Sequence, residues 1–362
     1  MIVSSPRLSV GGHRMRPRVF RLTRVTILLM FAFLIPPNVS VGQKVYWSGY
    51  SVSLEDGAIK YRGYIQRANL DGTEVEPLPI EGLQKPMRVA LDTARGRLYW
   101  AEERPPSIWT ANLDGSEARV LFQLQGLPAS SLAVDEATGD AFWLATGGIW
   151  RGAYEGDGPH LVVARTMRPT GALTTDPMTA RMYWDDGMLD PLRRAGLDGS
   201  GEEAVPIVTL HLNDVDLDSA NRVLYWGDGQ GVWRGSVDDW TASAVLPDVI
   251  DGATRIALAP LSQHIIWVRG GVVRACRLSG DDCGVINDPP FGVTDVAVDD
   301  RVALDCDSSR TVDAADVGDF AGCLVGPDSP IDLDCLCADE NGDRRVDLRD
   351  AGALQRRFSG AE

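Results

Sequence analysis

The residues best suited to chemistry lie near the C-terminus, in two acidic twelve-residue stretches. The first reads Asp305-Cys306-Asp307-Ser308-Ser309-Arg310-Thr311-Val312-Asp313-Ala314-Ala315-Asp316. The second, thirty-four residues on, reads Asp339-Glu340-Asn341-Gly342-Asp343-Arg344-Arg345-Val346-Asp347-Leu348-Arg349-Asp350. Side-chain oxygens recur at positions 1, 3, 5, 9 and 12: Asp305, Asp307, Ser309, Asp313 and Asp316, then Asp339, Asn341, Asp343, Asp347 and Asp350. Position 7, Thr311 or Arg345, offers its backbone carbonyl. Calcium is a hard cation taking six to eight oxygens at ~2.3–2.6 Å, and this spacing wraps oxygens around one point. Without a cation, carboxylates held so close repel one another. The expectation is up to two bound Ca2+ ions. Loop two should bind more tightly, because loop one carries neutral Ser309 at position 5. Both loops have arginine (Arg310, Arg344) where a turn glycine is usual at position 6.

Each loop leads into a short helical pattern with apolar residues at i, i+3 and i+7: Val317, Phe320 and Leu324, then Ala351, Leu354 and Phe358. This duplicated arrangement over about residues 303–362 resembles a dockerin domain, which implies a cohesin-like partner and a role in attachment or assembly. A segment this short has a marginal core, so calcium should serve its folding. All six cysteines lie between Cys276 and Cys337, with Cys306 inside loop one. Cys276 and Cys283 flank a hairpin turn and are placed to bridge it. Cys323 can pair with either Cys335 or Cys337. Zinc at Cys335-x-Cys337 is the alternative, disfavoured by the acidic setting and the lack of a nearby histidine.

What precedes the loops is a repeat. An aromatic or aliphatic residue followed by tryptophan recurs as Tyr46-Trp47, Tyr99-Trp100, Phe142-Trp143, Tyr183-Trp184, Tyr225-Trp226 and Ile266-Trp267, with tryptophans 53, 43, 41, 42 and 41 residues apart. Before most copies runs a short apolar strand ending in an acid, such as Val89-Ala90-Leu91-Asp92. After them comes a third strand with an aliphatic residue and, two positions on, usually arginine (Ile65/Arg67, Ile149/Arg151, Leu192/Arg194, Val232/Arg234, Val272/Arg274). Then follow turns such as Asp71-Gly72, Asp114-Gly115 and Asp198-Gly199, where the Asp-Gly pair should supply positive φ angles, and a fourth apolar strand. Four strands per ~42 residues is the size of a propeller blade.

The first copy, at Lys44, has no apolar strand before it, whereas a surplus one, Thr294–Asp299, follows the last. Joining the two closes a ring of six blades and hides the free edges. The fold class is therefore all-β: a six-bladed β-propeller over residues 44–300, followed by the small helical calcium-loop domain. The propeller resembles the YWTD, or class B, repeats of the low-density lipoprotein receptor family. The acid two places after tryptophan is kept as Glu102, Asp186 and Asp228, but is Gly49, Ala145 and Arg269 elsewhere. The tryptophans should pack between blades and the arginines should tie strands together.

Residues 1–42 hold six arginines and no acid, then an eleven-residue apolar run from Val25 to Ile35, then small residues before Gln43. This is the layout of a secretory signal peptide and falls short of the ~20 residues that span a bilayer. Beyond it, 29 of the 35 basic side chains face all 51 acidic ones, a net charge of −22. Such a surface repels nucleic acid and anionic lipid. The expected location is secreted or cell-surface, with no membrane span after cleavage.

No nucleophile elbow, zinc motif or phosphate loop occurs, and His160, His211 and His264 fall in different blades. The reading is a non-catalytic scaffold whose propeller face engages an extracellular protein or glycan. Its contact residues are sought where the first blade is longest: seventeen residues separate Trp47 from Ile65, against four to seven in other blades. That stretch holds Tyr50, Tyr61, Arg62 and Tyr64, and reads equally as a contact loop or a disordered insertion. The alternative is a secreted metal-dependent hydrolase or lyase, with Asp185, Asp186 and Asp228 converging on the central channel.

Overall fold

The structure, a computed structural model, describes residues 43–301 apart from 155, 157, 165–170, 188–191, 208–211, 229, 247–253 and 290–291, together with 322–323, 333–339, 345–346 and 350. Strands of residues 44–299 form six four-stranded antiparallel sheets. Blades two to six take their strands in sequence order, from Pro86–Asp92 to Gly284–Asn287. Blade one alone combines the two ends of the ring. Its innermost strand is Val293–Asp299, paired with Lys44–Glu55, and its outer strands are Ala58–Asn69 and Glu76–Pro77. Lys44 faces Asp299, Tyr46 faces Ala297 and Trp47 faces Val296. The six innermost strands neighbour one another in a closed cycle around the axis.

The aromatic–tryptophan pair explains why the ring holds. Adjacent residues of a strand point to opposite faces of the sheet, so one of each pair meets the preceding blade and the other the following blade. Tyr46 shares a buried cluster with Trp100, Tyr99 with Trp143, Phe142 with Trp184, Tyr183 with Trp226, Tyr225 with Trp267, and Ile266 with Trp47. The cycle closes on itself. Trp47 and Trp100 are wholly buried, and each such side chain removes an area worth roughly 3 kcal/mol or more from water.

The recurrent polar residues serve the same frame. Arg67 donates to Glu76 at 2.6 Å and to the Leu113 carbonyl of the next blade at 3.2 Å, and Arg194 donates to Glu203 at 2.7 Å. The acids ending the inner strands cap the turns below them: Asp135 accepts from Thr138 N–H and Oγ1, and Asp218 accepts from Asn221. The Asp-Gly turns differ from the expected two-residue form. Positive φ falls on Gly72 and on Glu74 (85° and 52°), while the Asp71 carboxylate accepts from the Thr73 N–H. Asp71 is thus a side-chain acceptor that shapes a wider turn.

Disulfides join Cys276 to Cys283 and Cys323 to Cys335, and Cys337 is disulfide-bonded as well, which removes the zinc alternative. The turn Leu333–Ala338 lies against Thr93–Arg95, at the end of the ring where the inner strands finish. The apolar positions of the two expected short helices fall outside the described residues.

Candidate functional site

The long stretch of blade one is neither loop nor disordered insertion. The Lys44–Glu55 and Ala58–Asn69 strands pair without interruption to Glu55 opposite Ala58. A tight turn at Asp56 and Gly57, both with positive φ (51° and 76°), joins them. Pairing with Val293–Asp299 stops at Gly49 opposite Val293, so the outer part of the hairpin projects beyond the ring as a two-stranded ribbon.

Register sorts the ribbon into two faces. Tyr50 pairs with Gly63, Val52 with Tyr61 and Leu54 with Ile59, which places these residues on one side. Ser51, Ser53, Glu55, Lys60, Arg62 and Tyr64 lie on the other. The apolar side is open at its tip: Val52, Leu54 and Ile59 are 56%, 74% and 60% exposed. At its base the Tyr50 and Tyr61 rings meet at 6.0 Å between centroids. Lys85 Nζ stands 5.1 Å and 5.7 Å from these rings, and the Arg104 guanidinium stands 4.8 Å from Tyr61. Both cations belong to blade two and share Glu103.

The structure therefore unites Tyr50 with Tyr61 and separates them from Arg62 and Tyr64. Arg62 pairs with Glu55 at 2.7 Å on the polar side. Ser53, then Arg62, holds the Glu55 carboxyl below its ordinary range. Tyr64 turns inward and packs beside the Trp47 cluster, where burial pushes its hydroxyl up to about 12. Gly49 makes room for it, since a Cβ there would collide with the Tyr64 hydroxyl.

Beside the ribbon opens the central channel, a cavity of about 440 Å³. Its lining includes Arg88, Ser131, Asp214 and Asp295, from the starts of four inner strands. Asp295 accepts from the Val89 N–H at 2.9 Å and Asp214 from the Ile256 N–H at 3.0 Å, each satisfying a backbone donor of the next inner strand. Burial raises both carboxyls above their ordinary range. Arg255 lies 3.6 Å from Asp295. Arg88 and Arg255 were not foreseen from sequence: one arginine at a strand start carries no sign of its counterpart four blades away. The apolar face of the ribbon did have a signal, the alternation Tyr50, Val52, Leu54 and Ile59, Tyr61 around Asp56-Gly57.

The acids that the hydrolase or lyase alternative would bring together in the channel do not line it. Asp185 accepts from the Gly187 N–H, Asp186 lies 3.8 Å from Arg193, and Asp228 accepts from the Gln230 and Gly231 N–H groups. Each is engaged locally, and none lines the cavity. Among the described residues no cluster of three His, Cys, Asp or Glu side chains suits a metal ion. Of the calcium-loop residues, Asp305, Asp307, Ser309, Thr311, Asp313, Asp316, Asn341, Asp343 and Asp347 lie outside the described residues. Asp339 and Asp350 are buried and Arg345 is exposed.

No family model matches the chain. Over 233 residues it is 26% identical to Low-density lipoprotein receptor-related protein 5-like protein of Homo sapiens, covering 61% of this chain and 91% of that protein. It is also 26% identical over 237 residues to Vitellogenin receptor Yl of Drosophila melanogaster, covering 60% of this chain but 12% of the receptor's length. Among solved structures it is similar to a chain of a nidogen/laminin complex (TM-score 0.59, 15% identity, 71% of this chain and 98% of that one). It is similar as well to TolB from Acinetobacter baumannii (TM-score 0.56, 12% identity, 76% and 71%). These structural likenesses concern the fold. With the tryptophan-pair repeat and the six-bladed ring, the similarity to receptor-related proteins supports a propeller of the YWTD, class B type.

Proposed function

We propose that this chain is a secreted, non-catalytic scaffold that binds an extracellular protein on the propeller face carrying the ribbon. The observation that carries this reading is the exposed apolar side of the ribbon, standing beside the channel mouth with Tyr50, Tyr61, Lys85 and Arg104 at its base. Solvent-exposed aliphatics flanked by aromatic rings and cations have the composition of a protein contact surface. The similarity to receptor-related proteins, and to a chain crystallised in a nidogen/laminin complex, favours protein over glycan as the partner. The signal-like segment at residues 1–42 supports export. No described helix is long and apolar enough to cross a membrane.

The C-terminal segment acts, in this reading, as a calcium-dependent attachment unit of the dockerin kind. Asp339 and Asp350, at loop positions 1 and 12, are 8% and 0% exposed, as ligands of a shared cation would be. Asp339, Asn341, Asp343, Asp347, Asp350 and the Arg345 carbonyl would hold one ion. Asp305, Asp307, Ser309, Asp313, Asp316 and the Thr311 carbonyl would hold the other. The chain leaves the ring at the end opposite the ribbon, so one face can bind while the other is tethered. Affinity capture from a native extracellular fraction tests both halves. Capture unaffected by serine at Val52, Leu54 and Ile59 would refute the ribbon as the binding surface. Surface attachment unaffected by deleting residues 303–362 would refute the tether.

A further inference from the structure

Asp-Gly recurs along the chain, and the structure sets one copy apart. At Asp71-Gly72, Asp114-Gly115 and Asp198-Gly199 the dipeptide sits in the turn between the third and fourth strands of its blade. Each carboxylate accepts the N–H two residues on, from Thr73 at 2.9 Å, Ser116 at 2.8 Å and Ser200 at 2.9 Å. Each glycine N–H donates to the carbonyl three residues back, those of Asn69 and Asn112 at 2.9 Å and Gly196 at 2.8 Å. These turns also abut the preceding blade, where a Cβ on Gly72, Gly115 or Gly199 would crowd Ile286, Leu78 or Val162. At Asp186-Gly187 the glycine N–H donates to the Asp185 carboxylate at 3.2 Å.

Asp56-Gly57 has none of these restraints. It forms the two-residue tip of the blade-one ribbon, with positive φ at both residues, as a type I′ turn requires. Both residues are exposed, and beyond its chain neighbours no atom comes within 4 Å of a built Gly57 Cβ. Among the described residues neither the Asp56 carboxyl nor the Gly57 N–H has a hydrogen-bond partner. The carboxyl carbon and the neighbouring amide nitrogen are therefore both uncommitted, and glycine has no side chain to shield that nitrogen.

We propose that Asp56-Gly57 is a site of spontaneous isoaspartate formation, by which the ribbon tip is covalently altered with time. The Gly57 nitrogen attacks the carbonyl carbon of the protonated Asp56 carboxyl. A C–N bond forms, the nitrogen gives up its proton, the hydroxyl leaves with it as water, and a cyclic succinimide remains. Water then adds to either ring carbonyl and opens the ring. One opening restores aspartate; the other routes the main chain through the side-chain carbonyl as isoaspartate. The water lost is regained, so the product is an isomer and no other reactant is consumed. The methylene added to the main chain does not fit a two-residue turn. Glu55 opposite Ala58, and next to them Leu54 opposite Ile59, then lose their pairing at the tip. Resting on the reading of the ribbon as a binding surface, the consequence is weaker capture of the partner; the modification itself does not depend on that reading.

The test is ageing of the full chain at neutral pH, followed by isoaspartyl methyltransferase labelling and peptide mapping with electron-transfer fragmentation, which tells isoaspartate from aspartate at unchanged mass. The peptide holding Asp56 should gain isoaspartate at least about tenfold faster than those holding Asp71, Asp114, Asp186 and Asp198, because each of these must first break hydrogen bonds to react. In urea the sites should converge in rate, since the protection lies in the fold. Asp56→Asn should speed the gain through the same succinimide, with ammonia as the leaving group. Gly57→Ala should slow it, since a Cβ shields the nitrogen. Equal rates at Asp56 and at the other sites of the folded chain, an excess at Asp56 that persists in urea, or an unslowed gain in Gly57→Ala would each overturn the proposal. Isoaspartate at Asp56 with undiminished capture by the aged protein would overturn the ribbon tip as part of the binding surface and leave the modification standing.

Discussion

The hydroxyls of Ser48 and Thr294 lie 2.8 Å apart although 246 residues separate them, and Thr294 donates onward to the Pro86 carbonyl at 2.8 Å. This chain of hydroxyls joins the first strand of the ring to its last and then to the next blade. It sits where pairing between the two chain ends gives way to the projecting ribbon. Closure is therefore polar as well as apolar at that point.

Thr294→Val keeps the shape and removes the relay. It leaves the buried Ser48 hydroxyl and the Pro86 carbonyl without this partner, at a cost of about 1–3 kcal/mol. Urea unfolding should show a lower midpoint with an unchanged slope. An unaltered midpoint would mean the seam is held by strand pairing and packing alone.

Glu102, at the repeat's acid position, is 3% exposed and accepts backbone N–H groups from Lys85, Gln84 and Arg104. Burial nevertheless dominates and raises its pKa to about 6. The folded protein thus binds this proton more tightly than the unfolded chain does. Its stabilising effect is complete below the unfolded value of 4.5 and is lost as pH rises through about 6. Glu102→Gln does not titrate. Its stability relative to wild type should improve from pH 4.5 to pH 7 by up to about 2 kcal/mol. A difference independent of pH would contradict this account.

Two glycines with positive φ separate backbone strain from steric clash. Gly57, at the ribbon turn, has no neighbour within 4 Å of a built Cβ, while at Gly72 the Ile286 carbonyl oxygen would stand 2.8 Å away. Gly57→Ala should cost about 1 kcal/mol through its φ of 76° alone. Gly72→Ala should cost that plus roughly 1–3 kcal/mol of overpacking against blade six. Thermal melts of the two variants provide the comparison, and equal shifts would show that the contact between blades yields freely.

Calcium titration of the full chain should release heat. Asp339→Ala should remove the tighter phase and Asp305→Ala the weaker one, because loop one carries Ser309 in place of a charged ligand. EDTA should lower the melting temperature of the C-terminal segment and leave the propeller transition in place. A single transition indifferent to EDTA would remove calcium from the reading.

Serine at Val52, Leu54 and Ile59 together should leave the fold within about ±0.5 kcal/mol per site, since all three are exposed. Partner capture should fall at least about tenfold. The melt and the capture assay are read on the same preparation.

Much of this molecule is written in local pattern. The recurring pairs such as Tyr99-Trp100 fix six blades, because adjacent residues on a strand must face opposite neighbours and each pair is buried only when blades stand on both sides. The unpaired strand at Thr294–Asp299 likewise implied the seam, since a lone apolar strand needs a partner. Two things emerged only from the tertiary structure. The parity of the ribbon set Tyr50 and Tyr61 on one side and sent Arg62 and Tyr64 to the other, so a group of aromatics adjacent in sequence is not one surface. The meeting of Arg88 and Arg255 with Asp295 depends on ring closure, which sets blades two and six on either side of blade one. Local propensity specifies each strand, but the space between blades belongs to no segment of the chain, and only packing of the whole ring decides which side chains share it.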